Sequence, residues 1–110
     1  TDRNNGWLRD GPQMTQSLEQ MVQIGEALAH PVRIQLLYML SERERYIYEL
    51  AKDLNLSRQV VDLHLKRLEK AGFVESDLRL EENDMRAKKF FRLKEFDVKL
   101  CEEDLKRIFS

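Results

Sequence analysis

The sequence predicts a mainly α domain with a small β-hairpin, and three observations carry that reading. Apolar residues recur at helical spacing in two early stretches, 14–28 and 31–40. Residues 46–74 read as a short helix, a tight turn, a second helix and the start of a strand. That is the layout of a helix-turn-helix, whose second helix enters a DNA groove. Two alternating stretches then flank the turn residues Glu81 to Asp84, and together they make a hairpin, or wing. The predicted architecture is a winged helix-turn-helix in the order α-α-α-α-β-β-α.

Residues 1–11 are polar, contain two glycines and are expected to form a flexible tail, with residues 12–110 as one domain. Pro12 suits a first helical turn, and Met14, Leu18, Met21, Val22, Gly25 and Leu28 follow on one stripe. This helix should end before His30-Pro31, because a residue preceding proline is biased away from helical geometry. Pro31 opens a second helix, with Ile34, Leu36, Leu37 and Leu40 expected on its buried side. A charged connector, 41–45, leads to a stub of strand at Tyr46-Ile47 and then to two helical turns from Tyr48 to Leu54. Asn55 can take the left-handed geometry that ends that helix. Ser57 is placed to cap the next one, which runs from about Arg58 to Ala71 with Val61, Leu65 and Leu68 inward. Gly72 stops it. Phe73 to Leu80 and Ala87 to Leu93 are the hairpin strands. The last stretch is again helical, with Val98, Cys101, Leu105 and Ile108 on one apolar stripe beside Leu100 and Phe109.

With 42% hydrophobic and 35% charged residues, the 110-residue chain has the composition of a soluble globular protein. No apolar run is long enough to cross a bilayer and no signal-peptide pattern opens the sequence, so a cytoplasmic setting without a membrane partner is expected. A single cysteine, Cys101, rules out an intramolecular disulfide and fits a reducing compartment. The net charge of −1 means that attraction to phosphate must come from local patches. There is no phosphate-binding glycine loop, no recognisable Cys–His nucleophile pairing and no metal-ligand spacing, so the chain is not expected to be an enzyme and no cofactor is called for.

Two stretches resemble the ArsR-type winged helix-turn-helix regulators. Ala27-Leu28, then Pro31-Val32-Arg33-Ile34-Gln35-Leu36-Leu37, looks like the family's Ala-Leu-x-x-Pro-x-Arg-Leu-x-Ile-Leu signature. Glu49-Leu50-Ala51, Leu56-Ser57 and the run from Val61 through His64-Leu65-Lys66 to Ala71-Gly72-Phe73-Val74 look like its helix-turn-helix signature. The resemblance implies a homodimeric transcription regulator, usually a repressor, that dimerises through its first and last helices and often releases DNA on binding a ligand or metal. It places the dimer interface on Met14, Leu18, Met21, Val22, Gly25, Val98, Cys101, Leu105 and Ile108. Both stripes offer more apolar surface than a small wing and short helices can cover, which two-fold pairing would bury; closure of the monomer's own core is the alternative. Metal-sensing members carry paired cysteines near the third helix, where this chain has Tyr46 and Tyr48, so it resembles a non-metal-sensing member.

The outward face of the second helix-turn-helix helix reads Arg58, Gln59, Asp62, Leu63, Lys66, Arg67 and Lys70, preceded by Ser57. Arg58 and Gln59 sit at the helix N-terminus, where arginine can read guanine and glutamine adenine by bidentate pairs. Lys66, Arg67 and Lys70 suit phosphates. Asp62 and Leu63 depart from the family, which often has serine and a polar residue there, and both run against a generic phosphate grip. The wing is split by sign. Glu75, Asp77, Glu81, Glu82 and Asp84 occupy its first strand and tip, whereas Arg86, Lys88, Lys89, Arg92 and Lys94 lie on the return. The expectation is a return strand, through Arg86, Lys88 and Lys89, along the DNA backbone, with the acidic tip turned away. His64 is expected to be a half-buried scaffold residue rather than a ligand or pH sensor, and His30 a cap. Cys101 is expected to be an inert small hydrophobe, with a crosslink to its symmetry mate the lesser reading. The expected partners are thus double-stranded DNA, read at a pseudo-palindrome, and a second copy of the chain; the effector is not legible. The alternative is a protein-interaction module built on Leu63, Asp62 and the acidic wing tip.

Overall fold

A computed structural model describes residues 17–80 and 85–110. The first described helix, α1 (Leu18–Ala27), begins where Ser17, in extended geometry, accepts the Gln20 N–H on its Oγ at 3.1 Å. Ser17 caps this described helix; Pro12 and Met14, like the whole expected tail, lie outside the described residues. Helix α2 (Pro31–Glu42) has proline in its first turn and His30 as N-cap, the ring Nδ1 accepting the Val32 N–H at 3.1 Å. Leu36, Leu37 and Leu40 are buried as expected, but Ile34 is 47% exposed. At 100° per residue Ile34 stands 200° from Leu36 and shares its outer face with Tyr38, which is 66% exposed.

The strand stub is real but shifted. β1 (Arg45–Tyr46) precedes α3 (Ile47–Leu54), so the observed order is α-α-β-α-α-β-β-α. Glu49 accepts the Tyr46 N–H at 3.2 Å and fixes the start of α3. Asn55, at φ 56° and ψ 46°, turns the chain out of α3 in the left-handed region. Helix α4 (Arg58–Lys70) starts on Ser57, whose Oγ accepts the Val60 N–H at 3.2 Å. It ends at Gly72, with φ 89°, where the Phe73 N–H reaches back to the Leu68 carbonyl at 2.9 Å.

β2 (Val74–Leu80) and β3 (Ala87–Leu93) pair antiparallel from Val74↔Leu93 to Leu80↔Ala87, and β1 adds to the other edge of β3, giving the order β1-β3-β2. The turn between them, 81–84, lies outside the described residues, and with it the expected orientation of the acidic tip. Alternation gives the two sheet faces different tasks. Val74 and Phe91 drop into a core shared with Ile24, Ala27, Leu36, Leu50, Val61, Leu65, Leu68 and Phe73. On the other face Arg92 binds Glu75 at 3.0 Å and Asp77 at 2.8 Å, while Arg79 bridges Asp77 at 3.0 Å and Glu44 at 2.9 Å.

The last helix is shorter than expected. α5 (Glu102–Phe109) is preceded by a non-helical connector that carries Val98 and in which Phe96 meets Phe73 edge-on at 4.7 Å. Cys101 is the N-cap residue and exposed, not a member of a helical stripe. Its backbone N–H donates to Asp104 at 2.9 Å, and this hydrogen bond with the Arg107 guanidinium holds the Asp104 carboxyl below its ordinary range. The acid three residues after Cys101 offers the capping carboxylate that ends the connector. None of the α5 side chains is buried. Among the described residues no helix is long and apolar enough to cross a membrane.

Candidate nucleic-acid interface

The core stripe of α4, Val61, Leu65 and Leu68, fixes which of its residues face outward. The structure divides the expected DNA face into two neighbouring parts. On the wing side, Arg58, Gln59 and Asp62 line a cavity of about 450 Å³ together with Lys89 of β3 and Ile47 of α3. This hollow continues at Arg58 and Lys89 into one of about 590 Å³, bounded by Tyr46, Tyr48, Arg86 and Lys88. On the α1 side, Leu63, Lys66, Arg67 and Lys70 line a third groove of about 400 Å³ with Gln23 and Glu26.

Local pairing decides how much charge each part presents. Asp62 binds Lys66 one turn on, at 3.0 Å, so the aspartate that opposes phosphate is neutralised by a neighbouring cation. Arg67 lies 3.8 Å from Glu26 of α1. Arg58 and Lys70 enter no ion pair among the described residues. Ser57 spends a lone pair on capping, which leaves its hydroxyl proton for an acceptor outside the protein. Leu63 is 65% exposed.

The wing cations differ in what holds them. Lys88 and Lys89, adjacent in β3, point to opposite faces: Lys88 Nζ sits over the Tyr46 ring at 4.8 Å, and Lys89 Nζ over Phe91 at 5.4 Å. Both nonetheless reach the cleft, because the outer half of β3 runs beyond the two-residue β1. Arg92, counted from the sequence among the return-strand cations, is instead tied to Glu75 and Asp77 and is spent within the sheet. The same network consumes the acids of the first strand, since Arg79 and Arg92 hold the Asp77 carboxyl below its ordinary range.

Sequence reading missed several residues that belong here. Tyr48 is exposed and lines the cleft, Ile47 is buried along it, Val60 is exposed on α4, and Gln23 and Glu26 flank α4 from α1. A helical wheel of α1 places Gln23 and Glu26 off its core stripe, but only the packing of α1 on α4 makes them neighbours of Lys66 and Arg67. His64 is half-buried and bonded to the scaffold as expected. Among the described residues no cluster of three or more His, Cys, Asp or Glu could hold a metal.

Residues 30–76, from the α2 cap to the start of β2, match the bacterial regulatory protein family arsR. An uncharacterized HTH-type transcriptional regulator of Methanocaldococcus jannaschii is 48% identical over 93 residues, covering 84% of this chain and 96% of the relative. The chain belongs to the ArsR family. It is a transcriptional regulator with the family's helix-turn-helix DNA-binding fold, not an enzyme. Solved structures agree on the winged helix-turn-helix architecture. HlyU from Vibrio cholerae superposes with a TM-score of 0.57 at 28% identity, covering 70% of this chain and 77% of that one. A homodimeric winged helix-turn-helix DNA-binding domain from Mycobacterium bovis, a possible ArsR-family regulator, gives 0.58 at 28% identity, over 69% of this chain and 65% of that one. The transcriptional repressor BigR from Xylella fastidiosa gives 0.55 at 27%, over 70% and 72%.

Proposed function

We propose that this ArsR-family chain is a homodimeric repressor that reads a pseudo-palindromic site in double-stranded DNA. The observation that carries the reading is the cleft in which Arg58 and Gln59, at the N-terminal end of α4, meet Lys89, Lys88 and Arg86 of the wing. The N-terminal residues of a recognition helix are those that reach base edges. With Arg58 and Gln59 there, the helix can offer bidentate pairs to guanine and adenine, while Lys89, Lys88 and Arg86 lie along the flanking phosphates. Ser57, Lys66 and Arg67 extend the backbone contacts. Asp62, neutralised by Lys66, is compatible with an approach to cytosine N4, and Leu63 with a thymine methyl.

Dimerisation is supported by what α1 and α5 leave uncovered. Leu18, Val22, Leu105 and Phe109 are exposed, and Gly25 has nothing within 4 Å of where a Cβ would stand. These residues, with Met21, Ile108, Val98 and Cys101, form the proposed interface, to which Ile34 and Tyr38 of α2 add exposed apolar area. The Mycobacterium bovis neighbour is itself homodimeric.

Binding to duplexes over a salt series tests the reading. The wild-type protein should show steeply salt-dependent binding that tightens on a selected site, and Lys88→Ala and Lys89→Ala should each reduce the log–log salt slope by about 1. Gln59→Ala should leave that slope alone while relaxing base preference at a cost of about 1–3 kcal/mol on the selected site. A protein that binds no duplex at any salt, or whose slope ignores both cation variants, contradicts the proposal.

A further inference from the structure

Where α1, α2 and α4 meet, the chain places two imidazoles and a guanidinium in one cluster that DNA contact does not use. The His30 and His64 rings lie 4.5 Å apart between centroids, tilted by 47°. Arg33 Nη1 is 3.1 Å from His64 Nδ1, and Arg33 Nε donates to the Ala27 carbonyl at the end of α1, also at 3.1 Å. Arginine has only donors to offer, so His64 Nδ1 must be the acceptor, and the ring carries its proton on Nε2. His30 is committed in the same sense, because its Nδ1 accepts the Val32 N–H and caps α2. In both rings the site that a second proton would take is already occupied by a donor.

We propose that this cluster is a pH-sensitive latch: protonation of the imidazole pair releases α4 from Arg33 and weakens DNA binding below neutral pH. The proposal rests on the DNA reading above for its consequence, and on the cluster geometry alone for its mechanism. Arg33 is the strut, since one guanidinium holds both the last carbonyl of α1 and the middle of the recognition helix. A proton on His64 Nδ1 sets donor against donor and charge against charge, so the ring must leave Arg33. His64 lies next to Leu63 and one turn before Arg67, so its release disturbs the part of α4 that carries those residues. A proton on His30 Nδ1 removes the side-chain cap of α2 in the same way.

The described neighbours of His64 oppose a positive imidazole. Around the His64 ring stand His30 and Arg33 from the start of α2 and Arg67 from α4 itself. Among the described residues, Glu26 of α1 approaches this set and is engaged with Arg67 at 3.8 Å. Desolvation first, then these positive neighbours, hold the His64 imidazole below its ordinary value. The neutral ring is thus the folded partner, and its contribution is complete above about pH 6.5 and lost as pH falls through the folded value.

The test compares duplex binding and thermal stability of the full chain at about pH 7.5 and about pH 5.5, at constant ionic strength. Affinity for the selected duplex should fall about tenfold at the lower pH, and the melting temperature of the DNA-free protein should fall with it. His64→Gln keeps a neutral acceptor for Arg33, and His30→Asn keeps a capping oxygen, so the double variant should fold, bind at pH 7.5 and lose most of the pH dependence. If affinity rises or stays level on acidification, or if the double variant retains the wild-type pH dependence, the latch is refuted. Should the variant not fold, the wild-type histidine NMR titration decides. His64 must titrate below an unfolded-state histidine, with the Arg33 and Val32 N–H signals shifting together, and independent titrations overturn the proposal. Absence of any duplex binding at pH 7.5 would instead refute the DNA reading, while the stability and NMR arms still judge the latch.

Discussion

Asp62 binds Lys66 at 3.0 Å on the helix that is proposed to face DNA, so one acid and one cation cancel where phosphate approaches. Removing the acid frees Lys66 and deletes a negative charge together. Asp62→Asn is therefore expected to raise affinity for arbitrary duplexes several-fold and to steepen the salt slope by about 1. Discrimination between sites should narrow, since the phosphate contribution is sequence-independent. A salt titration on random and selected duplexes reads both effects, and an unchanged slope would show that Lys66 points away from the backbone. Residue types at such positions were legible in the sequence, and so was the local i,i+4 spacing of the pair. The 35-residue separation of Glu44 and Arg79 was not, because that contact depends on the sheet register. Arg92 shows the same limit: beside Lys88 and Lys89 it reads as one more basic residue, and only the pairing of β2 with β3 makes it a structural cation.

At the scale of elements, local chemistry sets the boundaries that hold α4 in place. Ser57 starts the helix and Gly72 ends it, each through backbone geometry that few other residues supply. Gly72→Ala forces a side chain into the left-handed region and should destabilise the domain by about 1–2 kcal/mol in chemical denaturation. Ser57→Ala should cost about 1 kcal/mol through the lost cap. Losses indistinguishable from zero would mean that the ends of α4 are held by tertiary packing alone. The wing depends on charge instead. Hydrogen bonds from Arg79 hold the Glu44 and Asp77 carboxyls below their ordinary range, so their contribution is present above about pH 4 and disappears as the pH falls through that region. Hydrogen exchange of β2 and β3 should quicken there, and also in Arg79→Ala at neutral pH. Helix ends were readable from Asn55, Ser57 and Gly72 because capping is local. The length of α5 was not, since the apolar run 98–109 has helical spacing throughout while the turn at Cys101 is set by Asp104.

At the scale of the whole molecule, α1 and α5 leave large apolar side chains exposed. Helix α5 contributes no buried residue to its own domain, although Leu105, Ile108 and Phe109 give it an apolar face. In the proposed dimer, pairing with a second copy would bury that face against α1 and set two recognition helices in a fixed relation. Leu105→Glu with Val22→Asp should give a folded monomer by light scattering. Its affinity for a selected two-half-site duplex should fall by a factor of about 100 or more, because the half-sites are no longer bound together. The winged helix-turn-helix architecture was legible from periodicity and punctuation, and the ArsR likeness from two short stretches. Which side of α2 met the core was misjudged at Ile34, because its neighbours Leu36 and Leu37 left the apolar stripe ambiguous.

The most direct measurement is selection of duplexes from a random pool by the wild-type protein, followed by footprinting of the enriched sequence. A two-fold symmetric site is predicted, with half-sites about one helical turn apart and guanine and adenine preferences that relax in Arg58→Ala and Gln59→Ala respectively. Enrichment of no sequence, or of a site whose base preferences survive both substitutions, would contradict the reading of α4 as the element that recognises DNA.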